Sequence, residues 1–369
     1  MDDKGLKYRR LQTLDSFRAL AALFVMGYHF FYRWTQSALD EPLLKSSSIF
    51  SDLAIFRAGF LGVEFFFIIS GFVIALTLTN TTSVSEFTVK RFSRLFPAML
   101  VCSLITFLVS YQFAVAPLNQ VEWKDFLPSL TFVSPQIWNK LFNLDTSWVS
   151  GVHWSLFIEI KFYAVAACLY FIDKRGFLRN MTVACAGMVL LYHGLVFAGQ
   201  QEVAEITQLI LFPDYAAYFL AGILFYVLKF ENHENQLPLL LGVFICFAYS
   251  SFTVYSASPQ IGLQLAFVVA VFFALFLCFQ FFPGLLAPLD RTPLPLIGAA
   301  SYSLYLVHET LGVTLIHKLQ QIDALAVLPV KLMTALVLVI VSIWLFKAVE
   351  IPGKNILMRG SRWAWQKQQ

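Results

Sequence analysis

Arg18 and His29 stand eleven residues apart in LDSFRALAALFVMGYH, residues 14–29, a stretch that begins polar and becomes apolar. At about 100° per residue the interval is roughly 20° from three full turns, so both side chains share one helix face, about 16 Å apart. Asp15, three residues before Arg18, lies near the same stripe and can pair with the arginine. An imidazole in such a helix can take a proton from a hydroxyl or briefly carry a group itself. Its ordinary titration near neutrality suits both tasks. An arginine at the helix entrance can also snorkel to the interface, so Arg18 alone decides little.

Four further stretches carry polar chemistry in apolar surroundings. GVHWSLFIEIKFY, residues 151–163, places Ser155, Glu159 and Tyr163 at successive i, i+4 positions, with Trp154 at the interface. A carboxylate buried there needs a partner or a proton; the plainer alternative is an ion pair with Lys161 or an arginine. ASYSLYLVHETLG, residues 300–312, sets Ser301, Tyr305 and His308 on one face, beside Tyr302. Tyr305, His308 or Ser155 could hydrogen-bond a developing oxyanion. FLGVEFFFIISGFVIA, residues 60–75, holds Glu64 as either a site acid or an interfacial carboxylate, and Ser70-Gly71 as a close-packing point. KRFSRLFP, residues 90–97, gathers Lys90, Arg91 and Arg94 on about one turn. These cations form either a positive-inside anchor or a clamp for donor phosphates, which arginine forks match.

The elements that must position these groups are membrane helices. Of 369 residues, 59% are hydrophobic and 13% charged, against about a quarter charged in a soluble domain. Recurrent apolar runs predict an all-α, polytopic membrane protein. Ten spans are expected, at 11–33, 56–79, 95–117, 152–172, 180–199, 207–229, 237–256, 260–282, 296–317 and 327–349, around a polar interior passage and within one domain, 1–369. The proline-rich connection 283–295 should lie at the surface. Lys and Arg cluster at 4–10, 90–94, 174–179 and 347–367, which places both termini in the cytoplasm. The outer segment 118–151 then partly covers an outward opening. No cleavable signal peptide is apparent.

Cys102, Cys168, Cys185, Cys246 and Cys278 are odd in number and lack CxxC spacing, so they are expected to be buried free thiols, with neither a disulfide framework nor a metal site. His193, His233 and His317 are expected to be interfacial or exposed. A net charge of +4 does not suggest nucleic acid. No HExxH, nucleophile elbow or P-loop is present.

In order, R-(ten residues)-H in the first span, FFFxxSGF in the second, KRFxRLFP in the following loop, HWSLxxExxFY in the fourth and SYSLYLxH in the ninth resemble the acyltransferase 3 family across roughly 9–350. The resemblance implies a ten-helix bacterial inner-membrane enzyme using cytoplasmic acyl-coenzyme A, most often acetyl-coenzyme A, with no permanent cofactor. His29 is implied as the catalytic histidine with Arg18 nearby, and Arg91 and Arg94 as donor contacts. The acceptor implied is a hydroxyl of a sugar, in a cell-surface polysaccharide or a lipid-linked precursor. Glu64 stands where relatives commonly have Asp. The fused extracytoplasmic domain of some relatives is absent, which leaves room for a separate partner. From the residues, Glu159 is expected to orient His29 or bind the acceptor, and Trp154, Ser155, Tyr163, Ser301 and Tyr302 to line the substrate path. The rival reading is a proton-coupled transporter of a small sugar or acid; no inverted pair of broken helices is evident for it.

Overall fold

The computed structural model describes residues 3–35, 42–46, 53–113, 118, 121–231, 235–322 and 326–366, with side chains from 12 to 360 within those ranges. Among them all regular structure is helical. The main helices are α1 (Asp3–Tyr28), α2 (Gly62–Thr79), α3 (Val84–Phe113), α4 (Trp154–Ile172), α5 (Phe177–Phe197), α6 (Gln201–Ile210), α7 (Ala216–Phe230), α8 (Leu237–Ala257), α9 (Gly262–Phe281), α10 (Leu294–Ala299), α11 (Ser301–Val307), α12 (Thr310–Leu319), α13 (Val327–Leu345) and α14 (Ile351–Gln366). His233 lies outside the described residues.

Among the described residues, seven helical stretches are long and apolar enough to cross a membrane, and an eighth if the bent pair α6–α7 counts as one span. The chain is a multi-pass membrane protein. The expected spans at 11–33 and 296–317 are helical but fall short of that measure. The first carries Asp15 and Arg18 and ends in a wide i→i+5 turn, His29–Arg33. The second is not one helix: it is divided into α10, α11 and α12, with breaks at Ala300 and at His308-Glu309. The expected span 207–229 is likewise bent, by 63° at a break before Pro213, because Pro213 has no N–H to continue α6. Lys90, Arg91 and Arg94 lie inside α3 rather than in a loop, and Pro97 sits within the same helix. The connection 283–295 is largely exposed, as expected.

The chain forms two compact units, one of Met1–Gly62, Thr88–Phe157 and Leu289–Gln369, the other of Val63–Phe87 and Ile158–Pro288. In the first, α1 packs along α10. A Cβ on Gly298 would stand 1.7 Å from the Asp15 carbonyl oxygen, so only glycine allows this crossing. Thr13 Oγ1 and Ser16 Oγ both donate to the Asp290 carboxylate, at 2.8 and 3.2 Å, tying α1 to the turn before α10. In the second unit α7 is buried almost throughout. It crosses α2 at Gly71 and Gly222, each of which leaves room for the other helix's backbone.

Two lysines end helices in the second unit. Lys161 donates to the carbonyls of Gln208, Leu209 and Leu211 where α6 stops. Lys229 does the same for Phe279 and Gln280 at the end of α9. Cations favour these unsatisfied carbonyls. Lys161 is therefore a helix cap. All five cysteines are free; Cys102, Cys185 and Cys246 are buried, whereas Cys168 is exposed on α4, contrary to expectation.

Candidate active site

His29 opens the wide turn that ends α1, and it is 9% exposed. Such turns inside helices recur at functional sites because they displace a side chain from the regular register. Its Nδ1 lies 3.2 Å from Oε1 of Glu309. Its ring meets the His308 ring edge to face, centroids 5.0 Å apart. His308 donates from Nδ1 to the Tyr305 carbonyl at 2.8 Å, which leaves the Nε2 lone pair buried and without a protein partner. Trp34 lines the same small cavity as Glu309. The break between α11 and α12 is what turns His308 and Glu309 inward together; irregular backbone at membrane depth is tolerated where it lines protein or a cavity.

A cavity of about 70 Å³ borders Glu309, walled by Trp34, Leu118, Val149, Ser150, Gly151 and Thr310. It has room for a few water-sized groups and not for a sugar ring. A Cβ on Gly151 would come within 3.0 Å of Glu309 Oε2. The outer segment that supplies this wall is knitted by hydrogen bonds. Thr310 Oγ1 donates to Ser150 Oγ at 3.1 Å, and Val149 N to Ser129 Oγ at 3.0 Å. His153 Nδ1 lies 3.2 Å from the same Ser129 oxygen. Asp125 accepts the backbone N–H of Ser147 at 2.7 Å.

Tyr305 and Ser155 are buried beside this cluster, their hydroxyls 2.8 Å apart. Tyr305 donates its proton to the Val152 carbonyl at 3.1 Å. That proton and the His308 Nδ1 proton are thus both held by backbone carbonyls.

A second, cationic cluster belongs to the same unit. Arg18 pairs with Asp15 at 3.1 Å. Arg91 is 8% exposed, far more buried than a snorkelling anchor. Glu350 closes another wide turn, Phe346–Glu350, and accepts from the backbone N–H and hydroxyl of Ser303. The charges of Arg94 and Arg18 are near enough to influence that carboxylate, and those of Arg94 and Arg91 to influence Lys354. Arg18 and His29 are about 16 Å apart along α1, while α11 carries Ser303 at the cationic cluster and Tyr305 toward the imidazoles.

Asp15, Arg18, His29, Lys90, Arg91, Arg94, Trp154, Ser155, Ser301, Tyr302, Tyr305 and His308 all belong to the first unit. Glu64, Glu159 and Tyr163 belong to the second. Glu159 accepts hydrogen bonds from Ser70 and from Tyr163, the latter at 2.5 Å, and Ser70 is thereby more than a small packing residue. Glu64 is buried, 8% exposed, rather than interfacial. The carboxylate beside His29 is Glu309, which the sequence reading passed over, as it did Trp34, His153, Glu350 and Lys354. The signal for Glu309 was present: an acid next to a histidine within an apolar run is a default site residue. Among the described residues no three His, Cys, Asp or Glu are grouped to hold a metal.

The acyltransferase-domain family model matches residues 11–347. The peptidoglycan O-acetyltransferase OatA of Listeria monocytogenes is 27% identical over 165 residues, 42% of this chain and 23% of that protein. The acyltransferase MdmB of Streptomyces mycarofaciens is 28% identical over 183 residues, 48% and 44% of the two chains. Nodulation protein 10 of Rhizobium leguminosarum bv. viciae is 31% identical over 175 residues, 44% and 45%. The chain thus spans less than half the length of these curated relatives. No solved structure matches it. With a family match over nearly its whole length, the chain belongs to the acyltransferase 3 family.

Proposed function

We propose that this chain is a membrane O-acyltransferase of the bacterial inner membrane. It moves an acyl group, in the simplest case acetyl, from cytoplasmic acyl-coenzyme A to a sugar hydroxyl in a surface polysaccharide or lipid-linked precursor. The observation that carries this reading is the His29–Glu309 contact, with Arg18 farther down the helix that ends at His29. The coenzyme A phosphates meet Arg91, Arg94, Lys354 and Arg18, and the pantetheine arm runs along α1 and α11 toward His29. The proposal keeps the polar passage and the ten-span, termini-inside topology expected from the sequence.

In the reaction His29 removes the acceptor hydroxyl proton and the alkoxide oxygen attacks the thioester carbonyl. The tetrahedral intermediate collapses, the C–S bond breaks, and the coenzyme A thiolate takes the proton back from the imidazolium. Glu309 steadies the imidazolium that forms between these steps, as a carboxylate does for a catalytic histidine. OatA relatives are named O-acetyltransferases, which supports acetyl as the group moved.

The structure removes one argument against a transporter, since the broken segments α6–α7 and α11–α12 are of the kind transporters use. Family membership decides against it. The test is acetyl transfer in membranes from labelled acetyl-coenzyme A. His29→Ala should lower turnover about 10²–10⁴-fold at unchanged protein level. Turnover near that of the unaltered protein would overturn the reading.

A further inference from the structure

The second unit has a cleft of about 630 Å³ that the acyl-transfer chemistry does not use, within the roughly 300–1,000 Å³ typical of ligand pockets. Its walls are α5 and α8, and its floor is α7, on which both pack. Small side chains carve it out: Cys185 and Ala186 on α5, Ala216 and Ala217 on α7, Gly242 and Cys246 on α8. Its few polar side chains are engaged within the protein. Thr182 donates to the Leu178 carbonyl at 2.9 Å, and the Tyr249 hydroxyl lies 2.8 Å from His193 Nε2. An occupant must therefore be apolar along its length.

The two ends differ. At one end are Arg179 and Pro238; at the other, eleven residues along each wall, are Leu190 and Tyr249. That run is about 16 Å, half of a hydrocarbon core of about 30 Å. The His193–Tyr249 contact bridges α5 and α8 and closes the deep end. The shallow end is basic: Lys174, Arg175 and Arg179 stand against Asp173, which pairs with Arg179 at 3.2 Å. Lys174 sits over the Tyr170 and Phe171 rings, 5.8 and 5.5 Å from their centroids. Three cations against one carboxylate leave an excess of positive charge for a phosphate. The start of α5 itself is taken by Asp173, whose carboxylate accepts the Gly176 N–H at 2.9 Å, so a phosphate is left to the cationic side chains of the rim.

We propose that the cleft is a binding site for an anionic glycerophospholipid, one acyl chain lying between α5 and α8 and the phosphate resting on the Lys174–Arg179 rim. The depth of one leaflet and the closed far end fit the chain of a diacyl lipid and stop a longer polyprenyl chain. The site stands apart from the acyl-transfer reading and survives its failure.

The test uses the purified full chain. Native mass spectrometry with phosphatidylglycerol and phosphatidylcholine of matched chains should show one phosphatidylglycerol retained under activation that strips phosphatidylcholine. Ala186→Trp, on an exposed position of the cleft wall, should abolish that retention. Arg179→Gln should cut the preference for phosphatidylglycerol several-fold. As a measurement on the unaltered chain, phosphatidylglycerol with a photoreactive acyl terminus should label peptides within 182–190 and 242–249. Equal retention by Ala186→Trp, equal retention of both lipids, label spread evenly over other helices, or displacement by polyprenyl phosphate would each overturn the proposal.

Discussion

In the proposed reaction His29 and Glu309 work as a pair. Glu309 touches His29 and has Gly151 against its other oxygen. Glu309→Gln keeps the shape and removes the charge that steadies an imidazolium. By analogy with carboxylate-to-amide changes beside catalytic histidines, turnover should fall about 10³–10⁴-fold, with donor KM little altered; initial rates across acetyl-coenzyme A concentrations check this. Gly151→Ala pushes a methyl to 3.0 Å from Oε2, and the carboxylate must yield by a few tenths of an ångström. Because sub-ångström misplacement already erodes positioning, a loss of about tenfold in kcat is expected. Glu159→Gln is the contrasting variant. It weakens bonds from Ser70 and Tyr163 in the other unit, so its effect should appear in stability or acceptor KM rather than with the signature of Glu309→Gln.

At the scale of elements, the site depends on interrupted helices. The wide turns at His29–Arg33 and Phe346–Glu350 each begin or end on a site residue, and the break at His308-Glu309 delivers two more. The α1–α10 crossing holds the first of these turns in register, and it exists because Gly298 has no Cβ. Gly298→Val should force the helices apart and cost at least about 1–3 kcal/mol. The thermal midpoint of the detergent-solubilised protein should fall, and activity should fall with it. Gly194→Ala, on an exposed face of α5 with nothing within 4 Å of the added methyl, is the control that should change neither.

For the whole molecule, the proposed reaction needs a charged donor and an acceptor hydroxyl to meet within the first unit, where Arg18 lies about 16 Å along α1 from the imidazole of His29. Arg94→Met and Lys354→Met should each raise the KM for acetyl-coenzyme A, by about tenfold for a lost charge-assisted contact of about 1.4 kcal/mol. kcat should stay near its starting value, and the effect should shrink at high salt. Equal losses in kcat and in kcat/KM would place these residues in the chemical step instead.

The amino-acid sequence by itself determined the membrane class, the family, the shared face of Arg18 and His29, and the clustering of Lys90, Arg91 and Arg94. All of these follow from local spacing and from the cost of charge in an apolar run. What α11 and α12 would present was only half legible. A continuous helix over 296–317 satisfies its own backbone hydrogen bonds, and nothing in the residue order says that the break falls at His308-Glu309. Only the tertiary structure decided that Glu309 meets His29, that Glu350 takes the Ser303 hydroxyl, and that Lys161 caps α6. Each of these is a contact between segments far apart in the chain, where partner choice is set by packing and by which buried charge must be satisfied.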